Sequence, residues 1–394
     1  MGDSVQDAIR SEVAALAPAY IETRHFLHQN PELSDHEVRT SALVAECLDA
    51  CGIDDIRTNV GGNGVVATLR GAADGPTIAL RADMDALPIQ ETADVPYRSC
   101  VPGVMHACGH DGHTATLLGA AATLSRLRAQ LPGSVRFIFQ PAEETVGGAL
   151  RMCRDGAMEG VDAIVALHGW PGMAVGRIGV RPGPMMASSD TFDITIKGRG
   201  SHAAYPHMSI DPILIGSHVV VALQSLVSRE TSPTESMVVT VAQFHAGTAY
   251  NIIPGTAELK GTVRCLSTRI QDAMPARLER IASGICAAWG ATCDFHYRHG
   301  VPVTVNDARI NALISDVGVI ALGAENVMEL EAPSMGAEDF SLYLSHAPGA
   351  MFRLGVGEEM TALHTPTYNF ADAAVLTGME LFTRIAMTYL QAGS

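Results

Sequence analysis

Three histidines, a cysteine and an aspartate stand within eight residues, His106-Ala107-Cys108-Gly109-His110-Asp111-Gly112-His113. Imidazole and thiolate ligate borderline-soft divalent metals. Gly109 and Gly112 carry no Cβ, so the backbone can turn tightly and aim several side chains at one point. The same residues also read as a polar turn with His and Asp capping a helix. Other residues with chemistry follow apolar runs. Asp83 and Asp85, at i and i+2, share one face at the end of the run 76–80. Glu143 and Glu144 leave the run 134–139 through Pro141, and His168 closes the run 161–167. Taken singly, these read as a solvated turn, surface charge and a hydrogen-bonded core histidine. One metal site explains all of them together.

The elements that must position these residues are legible in outline. Apolar periodicity predicts helices over residues 5–29, 37–50, 114–127, 307–322 and 373–390, and strands over 65–69, 76–80, 134–139, 161–167 and 350–354. Uninterrupted apolar strands alternating with helices indicate an α/β fold, with a mostly parallel or mixed sheet buried on both faces. In such sheets ligands bind outside the carboxyl ends of the strands, where Asp83/Asp85, Glu143/Glu144 and His168 would meet. The His/Cys turn lies ahead of the helix 114–127, whose free N–H groups are expected to lower the thiol pKa of Cys108. From about Met185 the texture changes to alternating strands and amphipathic helices in the order β-α-β-β-α-β. Residues 186–298 therefore read as an inserted ferredoxin-like α/β satellite domain, and residues 1–185 with 299–394 as the domain around the clustered residues.

The chain has 394 residues, too many for one ordinary core. Its net charge of −16 argues against nucleic acid, where basic patches supply affinity, and against an anionic membrane surface. No apolar run reaches membrane-spanning length, and residues 1–6 lack the basic start and apolar core of a signal peptide, so a cytoplasmic address is expected. The eight cysteines show no paired spacing. Only Cys108 has neighbours that suggest chemistry.

The chain resembles the M20 metallopeptidases, most closely the amidohydrolase branch of hippurate hydrolases, N-acyl-amino-acid amidohydrolases (aminoacylases) and plant auxin-conjugate hydrolases. The resemblance rests on residues 24–33 (RHFLHQNPEL), 81–88 (RADMDALP), 105–114 (MHACGHDGHT), 140–144 (QPAEE), 168–169 (HG), 198–207 (GRGSHAAYPH), 251–254 (NIIP), 335–340 (MGAEDF) and 363–366 (LHTP). These motifs run in order through nearly the whole chain, and 105–114 with 140–144 are specific to this branch.

The resemblance implies a catalytic domain holding two divalent metal ions and a satellite domain that usually makes a homodimer or higher homo-oligomer. The implied ligands are Cys108, between the metals, with His110, Glu144, His168 and His364. Glu143 takes the place of the general base, and Asp85 that of an aspartate supporting the site. Asp83 stands where other branches carry a metal-binding histidine, and is not counted as a ligand. His202 matches a histidine that reaches an active site, in its own or a partner subunit, while Asn251 and Arg264 are candidates for holding substrate. His106, Asp111 and His113 then fall behind the ligands, orienting them. Zinc suits thiolate and imidazole; manganese, cobalt or nickel suits a set that includes a carboxylate. The expected activity is hydrolysis of the amide bond of small N-acyl amino acids (hippurate, N-acetyl or related conjugates), by a water that Glu143 deprotonates. A dipeptidase or aminopeptidase is the alternative, disfavoured by Asp83. A non-catalytic binding protein on the same scaffold, or a thiol enzyme using Cys108, leaves most of these residues unexplained.

Overall fold

The computed structural model describes residues 3–53 and 55–392. The chain divides into two compact units: Met1–Met185 with Val305–Ala332 and Asp339–Ser394, and Met186–Thr304 with Pro333–Glu338.

The first unit is built on an eight-stranded mixed sheet. Its order is Asp55–Val60, Gly64–Arg70, Pro132–Gln140, Ala73–Asp83, Ala163–Trp170, Gly349–Gly355, Ile178–Val180, Val327–Glu329. The four strands from Pro132–Gln140 to Gly349–Gly355 pair in parallel, while the first two enter antiparallel. Ile164, Val165, Ala166, Phe137 and Ile138 are wholly buried, because helices leave neither face of this central sheet to solvent. The helices Asp3–Gln29, His110–Arg126 and Asp372–Ala392 supply Val13, Leu117 and Phe382 to the same core. Asp83 lies opposite Gln140 in the parallel register. The loops that follow these two residues therefore leave neighbouring strands at the same edge.

The second unit is a four-stranded antiparallel sheet in the order Met237–Ala246, Thr256–Cys265, Ser189–Lys197, Thr292–Val301, with the helices Pro212–Ser228 and Thr268–Ala288. Numbered along the unit the order is 2-3-1-4, that of a split β-α-β fold. Phe192, Ile194 and Ile196 point inward at every second position of their strand. Asp211 accepts from the N–H groups of Ile213 and Leu214, and Pro212 occupies the first helical position, which fixes that helix start.

Several details differ from expectation, the edge strand Asp55–Val60 among them. The helix predicted from residue 114 begins at His110, so His110, Asp111 and His113 are helical and buried rather than in a loop. The three-residue strands Ile178–Val180 and Val327–Glu329 were not expected; they are too short to show a period. Among the described residues no helix is long and apolar enough to cross a membrane.

Candidate metal centre

Gly109 starts the site. It precedes the helix with φ of 90°, a backbone region that an L side chain strains to enter, and the His113 N–H donates to its carbonyl. A Cβ there would lie 2.7 Å from Tyr368 Oη. The chain can thus reverse direction within one residue, leaving Cys108 before the helix and His110 at its first position.

Around that turn the donors of three further segments come together. Cys108 Sγ is 3.5 Å from His168 Nε2, and the donor atoms of Cys108, His110 and His168 lie within 4.8 Å of one another. The same holds for Cys108, Glu144 and His364, and for His110, Glu143 and Glu144. Glu144 Oε1 is 3.4 Å from His364 Nε2 and 4.0 Å from His110 Nε2. His364 has φ of 61°, and its N–H donates to the Ala107 carbonyl, which fastens the 363–366 loop to the cysteine turn. Ala142, just before the two glutamates, is also left-handed, with φ of 51°. Such a residue persists only where its surroundings over-determine it; here its N–H donates to Glu37 Oε1.

The hydrogen bonds behind these donors decide which nitrogens remain free. His110 Nδ1 lies 2.9 Å from the Asp85 carbonyl oxygen, and His168 Nδ1 lies 2.8 Å from the Gly169 carbonyl oxygen. A carbonyl only accepts, so each Nδ1 carries a proton and each Nε2 is left facing the cluster. His113 is different. Its Nε2 accepts from the Gly169 N–H at 2.8 Å, and its Nδ1 donates to Asp83 Oδ1 at 2.6 Å. Asp83 Oδ2 takes the Arg81 guanidinium at 2.6 Å. Both groups are thereby used up, although Asp83, His110 and His113 also form a close triplet. Asp85 accepts from the Glu143 N–H at 3.1 Å, the Glu144 N–H at 3.0 Å and Ser34 Oγ at 2.6 Å, which sets the angle of the glutamate pair.

A second layer escaped sequence reasoning. His28 bridges Asp111 Oδ2, at 3.0 Å, and Glu91 Oε1, at 3.1 Å, with the buried Arg24 guanidinium 3.8 Å from Asp111. Arg81 and Gln140 both donate to the buried Asp339, which also accepts from the Ala149 N–H. Arg24, His28 and Arg81 sit inside recognised motifs, and that was the only signal for them. His106 is wholly enclosed, with neither ring nitrogen hydrogen-bonded among the described residues. In the second unit, His202 lies on the short strand Ser201–His202 paired with Ile252–Ile253, and the Ala203 N–H donates to the carbonyl of Asn251. Arg264 is on the strand Thr256–Cys265, opposite Val238.

The electrostatics call for a cation. Burial, then the Glu144 charge, push the Cys108 thiol up rather than down as expected from the helix terminus. Gly109 separates it from the helix, and the thiol faces a carboxylate, so a thiolate needs positive charge beside it. His364, facing Cys108 and Glu144, is pushed up to about 10 by them. His168 is pushed down to about 3 by burial and by His113, and is therefore neutral, as a ligand must be. His110 Nε2 and Glu144 Oε1 are buried without hydrogen-bond partners. Against its burial, His110 is pushed well above the ordinary histidine range by Asp83 and Cys108, a negative surrounding that a bound cation would answer. Orphaned donor atoms, a thiol and an imidazole held neutral are what a divalent metal site offers. The residues fit that group.

Comparison with known proteins agrees. Residues 79–388 match the model of peptidase family M20/M25/M40. The chain is 41% identical over 373 residues to an N-acetylcysteine deacetylase of Bacillus subtilis, covering 94% of this chain and 97% of that one. It is 41% identical over 367 residues to thermostable carboxypeptidase 2 of Saccharolobus solfataricus, covering 92% of each. The crystal structure of the Bacillus subtilis YXEP protein, described as a dinuclear metal-binding peptidase of family M20, superposes with a TM-score of 0.85 at 38% identity, covering 96% of this chain and 99% of that one. A hydrolytic scaffold, a cluster able to hold metal and a family match over most of the chain lead to one conclusion: the chain is a hydrolytic enzyme of peptidase family M20, with relatives that include amidohydrolases.

Proposed function

We propose that the chain hydrolyses the amide bond of small N-acyl amino acids, releasing a carboxylate and a free amino acid, with two divalent ions held by Cys108, His110, Glu144, His168 and His364. The observation that carries this is the convergence of these five donors with Glu143 beside them, the orphaned His110 Nε2 and Glu144 Oε1 among them. The bound ions would supply a water of lowered pKa and polarise the substrate carbonyl.

The protein's own steps are proton transfers and orientation. Glu143 takes a proton from the attacking water and returns it to the amine nitrogen as the C–N bond breaks. Asp85 holds the backbone of Glu143 and Glu144 through their N–H groups, so base and ligand move as one. His113 and Asp83 lock the edge of the strand that bears His168. By the family resemblance, His202 donates to the developing oxyanion from its own or a partner subunit, in a homodimer built through the second unit. Asn251 and Arg264 are the proposed contacts for the substrate's polar end. A deacetylase among the relatives supports an acyl-amino-acid substrate, and a carboxypeptidase keeps short peptides as the second reading.

The test compares metal-loaded enzyme on N-acetyl amino acids, hippurate and unblocked dipeptides. Faster turnover of the N-acylated compounds is expected, and preference for dipeptides would overturn the reading. Glu143→Gln should lose about 10²- to 10⁴-fold in kcat while binding metal as before. Full activity would remove Glu143 as the base.

A further inference from the structure

A second site lies beyond the metal cluster, on the strands that carry it. After Trp170 the chain folds back over the end of the strand Gly349–Gly355. Three backbone hydrogen bonds strap it there: Gly172 N–H to the Gly357 carbonyl at 2.9 Å, Gly357 N–H to Met173 at 2.8 Å, and Gly355 N–H to Arg177 at 2.9 Å. The approach is so close that a Cβ on Gly355 would lie 1.9 Å from the Ala174 carbonyl oxygen. The strap encloses a cavity of about 230 Å³, with Trp170, Met173, Arg177, Met328, Arg353 and Glu358 in its wall.

The two arginines are the unexplained feature. The Arg353 guanidinium lies over the Trp170 ring, 3.6 Å from its centroid, and its Nε is buried with no hydrogen-bond acceptor. Burial alone pushes its pKa down to about 10. No carboxylate pairs with Arg353 or Arg177 among the described residues, although the chain has 42 acidic residues against 26 basic ones. Both arginines are half-buried. A guanidinium partly removed from water without a counter-charge carries a desolvation penalty, and an anion that pairs with it offsets that penalty. The planar fork suits a carboxylate, and Met173 and Met328 offer apolar wall. Glu358 in the same wall repels a second negative charge, which disfavours dianions such as phosphate or a dicarboxylate.

We propose that this cavity binds a small monocarboxylate, its carboxylate taken by Arg353 and Arg177 and its short hydrocarbon part laid against Met173 and Met328. None of these residues belongs to the metal-holding cluster, so the site is independent of the reading of that cluster. Trp170 reports on it directly, because the only other tryptophan is Trp289.

The experiment uses metal-loaded Trp289→Phe enzyme, in which Trp170 is the sole tryptophan emitter, titrated with propionate, butyrate and inorganic phosphate. A saturable change in emission with propionate and butyrate is expected. Arg353→Gln and Arg177→Gln, each checked for native circular dichroism, should each weaken it at least tenfold while leaving metal content unchanged. Since Arg353 touches the ring itself, Arg177→Gln is the decisive variant should Arg353→Gln fail to fold. Three outcomes overturn the proposal: no saturable change, a change of equal affinity in both variants, which would place the anion at the metals, or tighter binding of phosphate than of the monocarboxylates.

Discussion

Asp85→Asn is the sharpest test of how the glutamate pair is held. Asp85 is 1% exposed, and its two oxygens serve three donors: Glu143 N–H on Oδ1, and Glu144 N–H with Ser34 Oγ on Oδ2. Asparagine has the same shape but one acceptor oxygen and one NH₂ group. Whichever way the amide is turned, one of the two backbone N–H groups then faces a donor. Losing a hydrogen bond to a charged acceptor and stranding a buried N–H costs about 2–4 kcal/mol. The loop escapes that cost by moving, and Glu144 moves with it. Supporting residues of this kind are worth about 10- to 100-fold in metal affinity, which is roughly 1.4–2.7 kcal/mol. Competition of wild type and Asp85→Asn against a calibrated chelator measures that affinity, and turnover at saturating metal measures the placement of Glu143. Both should fall. Metal affinity within twofold of wild type together with unchanged kcat would refute the idea that this carboxylate positions the pair.

Gly109→Ala should lose about 2–5 kcal/mol, from left-handed strain and from a Cβ driven against Tyr368; a urea midpoint equal to wild type would show that the turn is not constrained as described. His28 carries a pH dependence. Burial alone would push it down, but Asp111 and Glu91 hold it up at about 9. Its folded pKa thus exceeds the unfolded value of about 6.5, so its contribution is complete below about pH 6.5 and is lost as pH rises through about 9. Between pH 6 and 10 the unfolding midpoint of wild type should fall more steeply than that of His28→Gln, and parallel profiles would remove His28 as the cause.

Legibility followed burial. The strand Ala163–Trp170 announces itself because its residues are covered on both faces and need no polar alternation, and Pro132–Gln140 does so over its second half, from Phe137 on. The start of the helix His110–Arg126 does not, because His110, Asp111, Gly112 and His113 are weak helix formers that tertiary burial holds in a helix. The same burial explains why the thiol of Cys108 shifts up: a helix terminus lowers a pKa only where its N–H groups reach the sulfur and solvation remains. The bridge from Asp111 through His28 to Glu91 joins residues 63 and 83 positions apart. No spacing rule predicts it, since it depends on where the end of one helix meets a loop.

The histidines show what would separate a ligand from its support when residue type is the same. His110 and His168 each face a carbonyl with Nδ1, so Nε2 is left as the nitrogen that faces the cluster. His113 is three residues from His110 on the same helix face, yet a backbone N–H occupies its Nε2 and a carboxylate its Nδ1. The distinction arises one layer out, in Asp83. A histidine at that position would bring another imidazole to the cluster. The aspartate instead neutralises Arg81 and holds the His113 tautomer, and so fixes the Gly169 N–H next to His168. The Asp83 carboxylate adds a buried negative charge, which Arg81 answers from behind. The guanidinium of Arg81 is buried and shared among Asp83, Gln140 and Asp339, so one cation holds both carboxylates behind the cluster.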